Sequence, residues 1–342
     1  MSLAIYTHPT LTVLVDDSDS FLKSVSFQLD PRLASKTFHD TSSALGWLLQ
    51  NSRNNQPGDL ALQVNFDTQN LSSDHCSVAI DIEGIYRISA SPQRFLTPSV
   101  LVVDYSMPQM NGLEFCQAVE HLPCKKIMFT GAADEKIAVD AFNRGLIDRY
   151  IKKSEDGALD RLESEIGVLQ KAFFAEQSDT FRDLLVLHHY HFLSDPAIAG
   201  LVQALMLQHG FVEHYIFPSP TGILFFDAHG KARLMIVETV TGMRAQFEMA
   251  RDSEAPPSLL AALQECRVIP FFGGADGDGM YSQTYGSNWH RYCQAPEICQ
   301  GRETYFWALF DLPAHYLQGP VFSYGQFLSQ HRAADAGPAP QA

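Results

Sequence analysis

The sequence predicts a doubly wound α/β domain with a parallel sheet, followed by an α+β domain. Three observations lead there. Apolar strand patterns alternate with amphipathic helical patterns over residues 11–153. The alternation ends in a long helical pattern at 159–173. Beyond it, a hairpin pattern and a lone strand pattern stand among helices.

The strands come first. "LTVLV" (11–15) and "SVLVV" (99–103) are continuous apolar runs, as expected of parallel strands covered on both faces. "KKIMF" (125–129) and "IDRYI" (147–151) are shorter and polar at one end. After "DSDS", Phe21, Leu22, Val25 and Leu29 recur on one helical face; after "AADEK", Ile137, Ala141 and Phe142 do the same. Asp134 is an expected N-cap for the second helix and Gly145 an expected stop. Residues 51–96 interrupt the alternation without a clear period and read as an insertion. Leu159, Leu162, Ile166, Leu169 and Phe173 then follow 3-4-3-4 spacing, which fits either a last helix on its own sheet or a dimerising or domain-linking coil.

Residues 181–331 read as α+β. "FRDLLVLHHYHFL", "PAIAGLVQALMLQHG" and "PPSLLAALQEC" are helical; "GILFFDAHGKARLMIVET" is a hairpin; "TYFWALFDL" is a strand. The expected division is a first domain at 1–178 containing the 51–96 insertion, a second at 179–331, and a disordered tail at 332–342.

The chain has 342 residues, enough for two ordinary domains, with 46% apolar and 18% charged residues. The formal net charge is −15: residues 1–180 hold 15 Lys+Arg against 24 Asp+Glu, and 181–342 hold 9 against 15. Neither half has the basic balance of a nucleic-acid binder. No apolar run reaches the roughly 18 residues of a membrane span, and the N-terminus lacks signal-peptide character, so a cytoplasmic location is expected. The six cysteines include no CxxC pair and read as reduced, inert thiols.

The polar residues at the strand ends carry the chemistry. The run at 11–15 ends in Asp16-Asp17, that at 99–103 in Asp104, that at 125–129 in Thr130-Gly131, and 147–151 is followed by Lys152-Lys153. Ligands of open α/β sheets bind at the carboxyl ends of the strands. Three carboxylates, a hydroxyl and an ammonium are therefore expected at one sheet edge. Carboxylates so gathered repel unless a cation joins them, and oxygen donors suit Mg²⁺, which keeps several waters and tends to bind phosphate. A carboxylate beside Mg²⁺ and Lys is set up as a nucleophile toward phosphorus.

The segments "VDDS", "VVDYSMPQMNG", "MFTGAADEK" and "RYIKKS" resemble, in order and spacing, the receiver domain of two-component response regulators. The resemblance implies a five-stranded flavodoxin-like fold. It implies that Asp104 accepts a phosphoryl group, and that Asp17, Asp104 and the backbone carbonyl of Ser106 bind Mg²⁺ with help from Asp16. Lys153 would neutralise the phosphate, Thr130 would hydrogen-bond it, and Tyr150 would be the aromatic switch, with Met107-Pro108 and Gly112 shaping the loop. Its partners would be a histidine kinase or phosphotransfer protein. One departure is Lys153-Ser154, where receivers carry Lys-Pro with a cis bond. A narrower resemblance, through "GIYRISASPQRF", the run at 125–154 and the hairpin with "ARDSEAPPSLL", is to a response-regulator group with an inserted receiver and an uncharacterised output domain, the quorum-sensing regulators called LqsR. It implies a homodimer formed on phosphorylation.

The second domain names no chemistry. "FFGGADGDGM" (271–280) lacks the acidic pair of a cyclic-dinucleotide synthase and the ligands of an EF-hand, and reads as a flexible loop. "HHYH" (188–191) offers no third metal ligand. Asp227 and Glu238 have the types found in nuclease cores, but Val240 stands where a lysine is needed. The expected function is a phosphorylation switch of self-association or partner binding. The alternatives are an output enzyme or nucleotide or small-ligand sensor, and a transcription regulator.

Overall fold

The computed structural model describes residues 2–52, 62–66, 76–131, 135–186, 190–273, 283–317 and 319–335. In chain order, β1 (Tyr6–Thr7) precedes β2 (Leu11–Val15), α1 (Asp19–Gln28), β3 (Ser35–Phe38) and α2 (Thr41–Ser52). The hairpin of β4 (Leu62–Phe66) and β5 (Cys76–Ile80) leads to α3 (Ile82–Arg87). Next come β6 (Pro98–Val103), α4 (Gly112–Ala118), β7 (Lys125–Thr130), α5 (Glu135–Asn143), β8 (Arg149–Lys152) and α6 (Ala158–Val186). Then follow α7 (Pro196–His209), β9 (Phe211–Pro218), β10 (Thr221–Asp227), β11 (Ala232–Thr239), α8 (Val240–Asp252) and α9 (Pro257–Gln264). The last elements are β12 (Ile269–Pro270), β13 (Cys293–Gln294), β14 (Glu297–Gln300), β15 (Thr304–Asp311) and α10 (Tyr324–Asp335). Among the described residues no helix is long and apolar enough to cross a membrane.

The chain divides into two compact units: His8–Pro57, Pro92–Gln177 and Gly325–Ala342 in one, and Met1–Thr7, Gly58–Ser91 and Ser178–Tyr324 in the other. The first holds a five-stranded sheet in the order β3-β2-β6-β7-β8, parallel throughout. This is the flavodoxin-like order, and it reverses direction between β2 and β6. Every residue of β2 and β6 is buried because helices cover both faces. Val13, Val15, Leu101 and Val103 face a core with Phe115 and Ala141; Leu14, Val100 and Val102 face one with Leu22, Val25, Leu162 and Ile166. The Ser18 side chain caps α1, accepting from Phe21 N–H at 3.3 Å. Gly145 leaves α5 with φ +72°, the expected left-handed stop. The expected cap at Asp134 lies outside the described residues.

Of the readings open for the heptad pattern, the structure takes the helix on its own sheet: Leu162, Ile166, Leu169 and Phe173 are buried, the first three in the core beneath the parallel sheet. Their helix runs unbroken for 29 residues to Val186, since neither Gly nor Pro interrupts 168–186, and the division between the two units falls within it at Gln177/Ser178, one residue from the expected boundary. Residues 332–335, expected in a disordered tail, continue α10. That helix packs on the parallel unit: Phe327 lies 5.3 Å from Phe95 by ring centroids, and His331 Nε2 is 2.7 Å from the Ser35 carbonyl.

The other unit contains a six-stranded antiparallel sheet, β1-β9-β10-β11-β15-β14. The expected hairpin is its centre, with Gly222 opposite Ile236 and Phe226 opposite Ala232. Glycine is required at 222, where a Cβ would lie 2.1 Å from the Met235 carbonyl oxygen. Residues 1–7 and much of the 51–96 insertion belong here and not with the parallel sheet. Tyr6 and Thr7 pair with Tyr215 and His214 of β9, and Tyr86 of α3 packs its ring 5.1 Å from that of Phe217.

β9 buries two polar side chains with partners. Tyr215 Oη donates to Glu213 Oε2 at 2.6 Å. His214 Nε2 lies 2.9 Å from the Ala4 carbonyl and Nδ1 lies 2.8 Å from Thr7 Oγ1. A carbonyl only accepts, so Nε2 carries the proton and Nδ1 accepts from the threonine. Burial lowers the His214 pKa to about 4, against about 6.5 in an unfolded chain. Between these values the unfolded chain binds the extra proton. The contribution to stability is complete above about pH 6.5 and is lost as pH falls toward 4. In urea unfolding from pH 7.5 to 4.5, the wild type should lose about 2 kcal/mol more stability than His214→Gln.

Candidate active site

The strand order places β2 beside β6, and the chain leaves both strands with an aspartate. Asp16 N–H donates to the Phe38 carbonyl at 3.1 Å, and Asp104 N–H donates to the Val15 carbonyl at 2.9 Å. Lys153 N–H donates to the Thr130 carbonyl at 3.0 Å. These bonds continue the sheet beyond its strands and fix where the three side chains begin.

The side chains meet. Lys153 Nζ donates to Asp16 Oδ2 at 2.5 Å and to Asp104 Oδ1 at 2.6 Å. The remaining carboxylate oxygens accept from backbone: Asp16 Oδ1 from Ser18 N–H at 2.9 Å, Asp104 Oδ2 from Ser106 N–H at 2.7 Å. Asp16 and Asp104 are only 4% and 6% exposed. Burying carboxylates is tolerable when each has a charged partner and further hydrogen bonds, and here both do. Two carboxylates and one ammonium still leave a formal charge of −1, which favours a further cation.

The loop after β6 folds back over Asp104. Gln109 takes φ +75°, and Gly112 N–H donates to the Tyr105 carbonyl at 3.0 Å. A Cβ at 112 would lie 2.2 Å from the Asp104 carbonyl oxygen, so only glycine lets α4 start here. Asn111 and Glu114 form a capping box at that start. Thr130 is buried at the end of β7. With Tyr150, Tyr105, Leu113, Met128, Ile137 and Ala138 it lines a shallow recess.

The third expected carboxylate is that of Asp17. Asp17 is exposed, and among the described residues no three His, Cys, Asp or Glu side chains gather around a metal position. Ser18 N–H holds the Asp16 carboxylate in the cluster. Lys153-Ser154 is a trans peptide, followed by a turn that Glu155 N–H closes onto the Lys152 carbonyl at 3.2 Å.

Comparison with known proteins matches residues 74–164 to the family model described as response regulator receiver domain. A solved structure of the Legionella pneumophila response regulator LqsR is 30% identical, over 96% of this chain and 95% of that one, with a TM-score of 0.75. The chain belongs to the response-regulator family. Two separate receiver domains are also similar over about half of this response regulator. One is a putative Luxo repressor receiver from Vibrio parahaemolyticus (13% identity, 49% of this chain, 95% of that, TM-score 0.34). The other is the Francisella response regulator 1452 receiver (14%, 48%, 98%, 0.31). Among curated proteins none matches.

The rest of the response regulator holds fewer candidates. Asp227 and Glu238 stand at opposite ends of the β10–β11 hairpin, about 20 Å apart at 3.3 Å per residue. Asp227 accepts from His229 and Lys231 N–H groups in the turn, and Glu238 accepts from Gln246 at 3.1 Å. His191 pairs with Glu303 at 2.7 Å; His188, His189 and residues 274–280 lie outside the described residues. Burial pushes the Cys116 thiol up to about 12 and Cys124 to about 11, away from thiolate chemistry. Phe21 reads in the sequence as one more apolar helix position, yet its ring lies against the Lys153 ammonium.

Lys153→Met would leave two buried carboxylates without their cation. It should lower stability at pH 7 by about 2 kcal/mol, less than a fully buried pair loses, because the lysine side chain is 21% exposed. Asp16→Asn in the same chain should recover part of the loss; urea midpoints of the wild type and the two variants check this.

Proposed function

We propose that Asp104 accepts a phosphoryl group from the phosphohistidine of a histidine kinase or phosphotransfer protein, in a Mg²⁺-dependent step, and that the new charge switches self-association or partner binding. The parallel unit is the receiver, and the antiparallel unit is the output domain. The observation that carries the reading is the pair of buried carboxylates on one ammonium at the switch point of a parallel sheet.

A carboxylate oxygen of Asp104 forms the new O–P bond as the donor's N–P bond breaks, and the leaving imidazole takes a proton. Lys153 stands 2.6 Å from Asp104, where its ammonium can neutralise a phosphoryl oxygen. The donor set fits Mg²⁺ in kind: the Asp16 and Asp104 carboxylates and the Ser106 carbonyl are hard oxygen ligands, the exposed Asp17 carboxylate follows Asp16 in the chain, and the buried cluster has excess negative charge. When bound, Mg²⁺ supplies positive charge shared by the carboxylates and the phosphoryl group.

Thr130 supplies the response. A hydroxyl bonds more strongly to an ionised acceptor. Its movement toward the phosphate opens the recess to Tyr150, which shares that lining. The recess wall continues into α5, whose Val139 and Phe142 are 58% and 52% exposed. The contact surface is therefore assigned to α5, since the α6 leucines are buried.

Acetyl phosphate with Mg²⁺ should add one phosphoryl group by intact mass, and Asp104→Asn should add none. Uptake by that variant at the wild-type level overturns the assignment. A second measurement tests the switch. Beryllofluoride should raise the molar mass of the wild type in light scattering. Thr130→Ala should still be phosphorylated at Asp104, but lose most of that response, equivalent to about 1–3 kcal/mol of coupling.

A further inference from the structure

The Lys153 ammonium has a third neighbour. Nζ lies 4.1 Å from the centroid of the Phe21 ring, within cation–π range. Phe21 is the third residue of α1, and its position is tied to the acidic cluster. Its N–H donates to Ser18 Oγ at 3.3 Å, while Ser18 N–H donates to Asp16 Oδ1 at 2.9 Å. From behind, Phe129 of β7 packs 5.8 Å away at 41°. Phe21 also lines an apolar recess with Leu14, Leu22, Val102 and Phe129, which has Asp16 and Asp104 at its rim. The ring is thus a braced wall.

We infer that Phe21 is a positioning residue for the phosphotransfer reaction: its ring face holds the Lys153 ammonium against Asp104. The inference rests on the phosphoacceptor reading of Asp104. A lysine stem is long and flexible, and its ammonium is strongly hydrated. The two carboxylates draw the ammonium in from one side. The aromatic face attracts it from the other without offering a competing hydrogen-bond acceptor. When a phosphoryl group forms on Asp104, the ammonium can shift from carboxylate to phosphoryl oxygen while it stays on the ring. An aliphatic side chain of similar size would fill the recess but attract no cation.

The full chain serves for the test. Phe21→Leu should slow phosphorylation by acetyl phosphate with Mg²⁺ about fivefold, equivalent to about 1 kcal/mol. Phe21→Trp, with the strongest cation–π face, should restore the rate. In a Lys153→Ala chain, Phe21→Leu should have no further effect, because there is no ammonium to position. Independently of any phosphotransfer, the Lys153 ε-methylene protons should show an upfield ring-current shift by NMR that Phe21→Leu removes and Phe21→Trp keeps. Equal rates for wild type and Phe21→Leu overturn the role of Phe21 alone, as does a loss in Phe21→Leu that persists unchanged in the Lys153→Ala chain. No phosphoryl uptake by the wild type, with the ring-current shift present, overturns the phosphoacceptor reading and this inference with it.

Discussion

Lys153 holds Asp16 and Asp104 at the edge of the parallel sheet, and much of the receiver's local structure exists to make that arrangement tolerable. Two carboxylates this buried would repel each other strongly without a cation between them. Their remaining oxygens need donors, and the backbone supplies them from Ser18 and Ser106, so the turns after β2 and β6 are shaped by the same requirement. Gly112 then lets α4 begin against the Asp104 carbonyl, which keeps that turn tight. The strand order β3-β2-β6-β7-β8 brings the three residues together although Asp16 and Lys153 are 137 positions apart.

The antiparallel unit is organised by a different constraint. Its sheet buries Glu213 and His214 in the middle of β9, where each has a partner within hydrogen-bond reach. The N-terminal segment supplies both hydrogen-bond partners of His214, Thr7 and the Ala4 carbonyl, and β1 extends the sheet beside it. A stretch at the start of the chain is thereby committed to a sheet whose other strands come more than 200 residues later. Similarity to the Legionella response regulator covers nearly the whole of both chains and is not confined to the receiver.

Thr130 adjoins two different surroundings. Its carbonyl accepts from Lys153 N–H of the acidic cluster, and its side chain lines the recess shared with Tyr150, whose wall continues into α5 with its exposed apolar residues. The cluster and the recess differ in what they require. The acidic cluster needs dense hydrogen bonding to stay fixed, whereas a side chain can change place only where packing leaves room.

The sequence by itself determined the parallel sheet and most of its site. Apolar runs ending in Asp16, Asp104, Thr130 and Lys153 are legible because a strand buried on both faces leaves no polar position until it emerges, and chain direction then puts every such residue at one edge. The β10–β11 hairpin was legible for the same reason. β3 was not, since an edge strand is half-buried and "SKTF" carries no run of apolar residues. β9 was hidden by Glu213 and His214, polar residues whose burial depends on partners distant in sequence or on the strand's own pleat. Only the tertiary structure decided that residues 1–7 and 58–91 join the second unit and that the 162–173 leucine pattern faces its own sheet. It also decided that Asp17 is exposed while Phe21 faces the ammonium. Periodicity marks which face of an element is apolar, but the surface that covers that face is set by contacts between segments far apart in the chain.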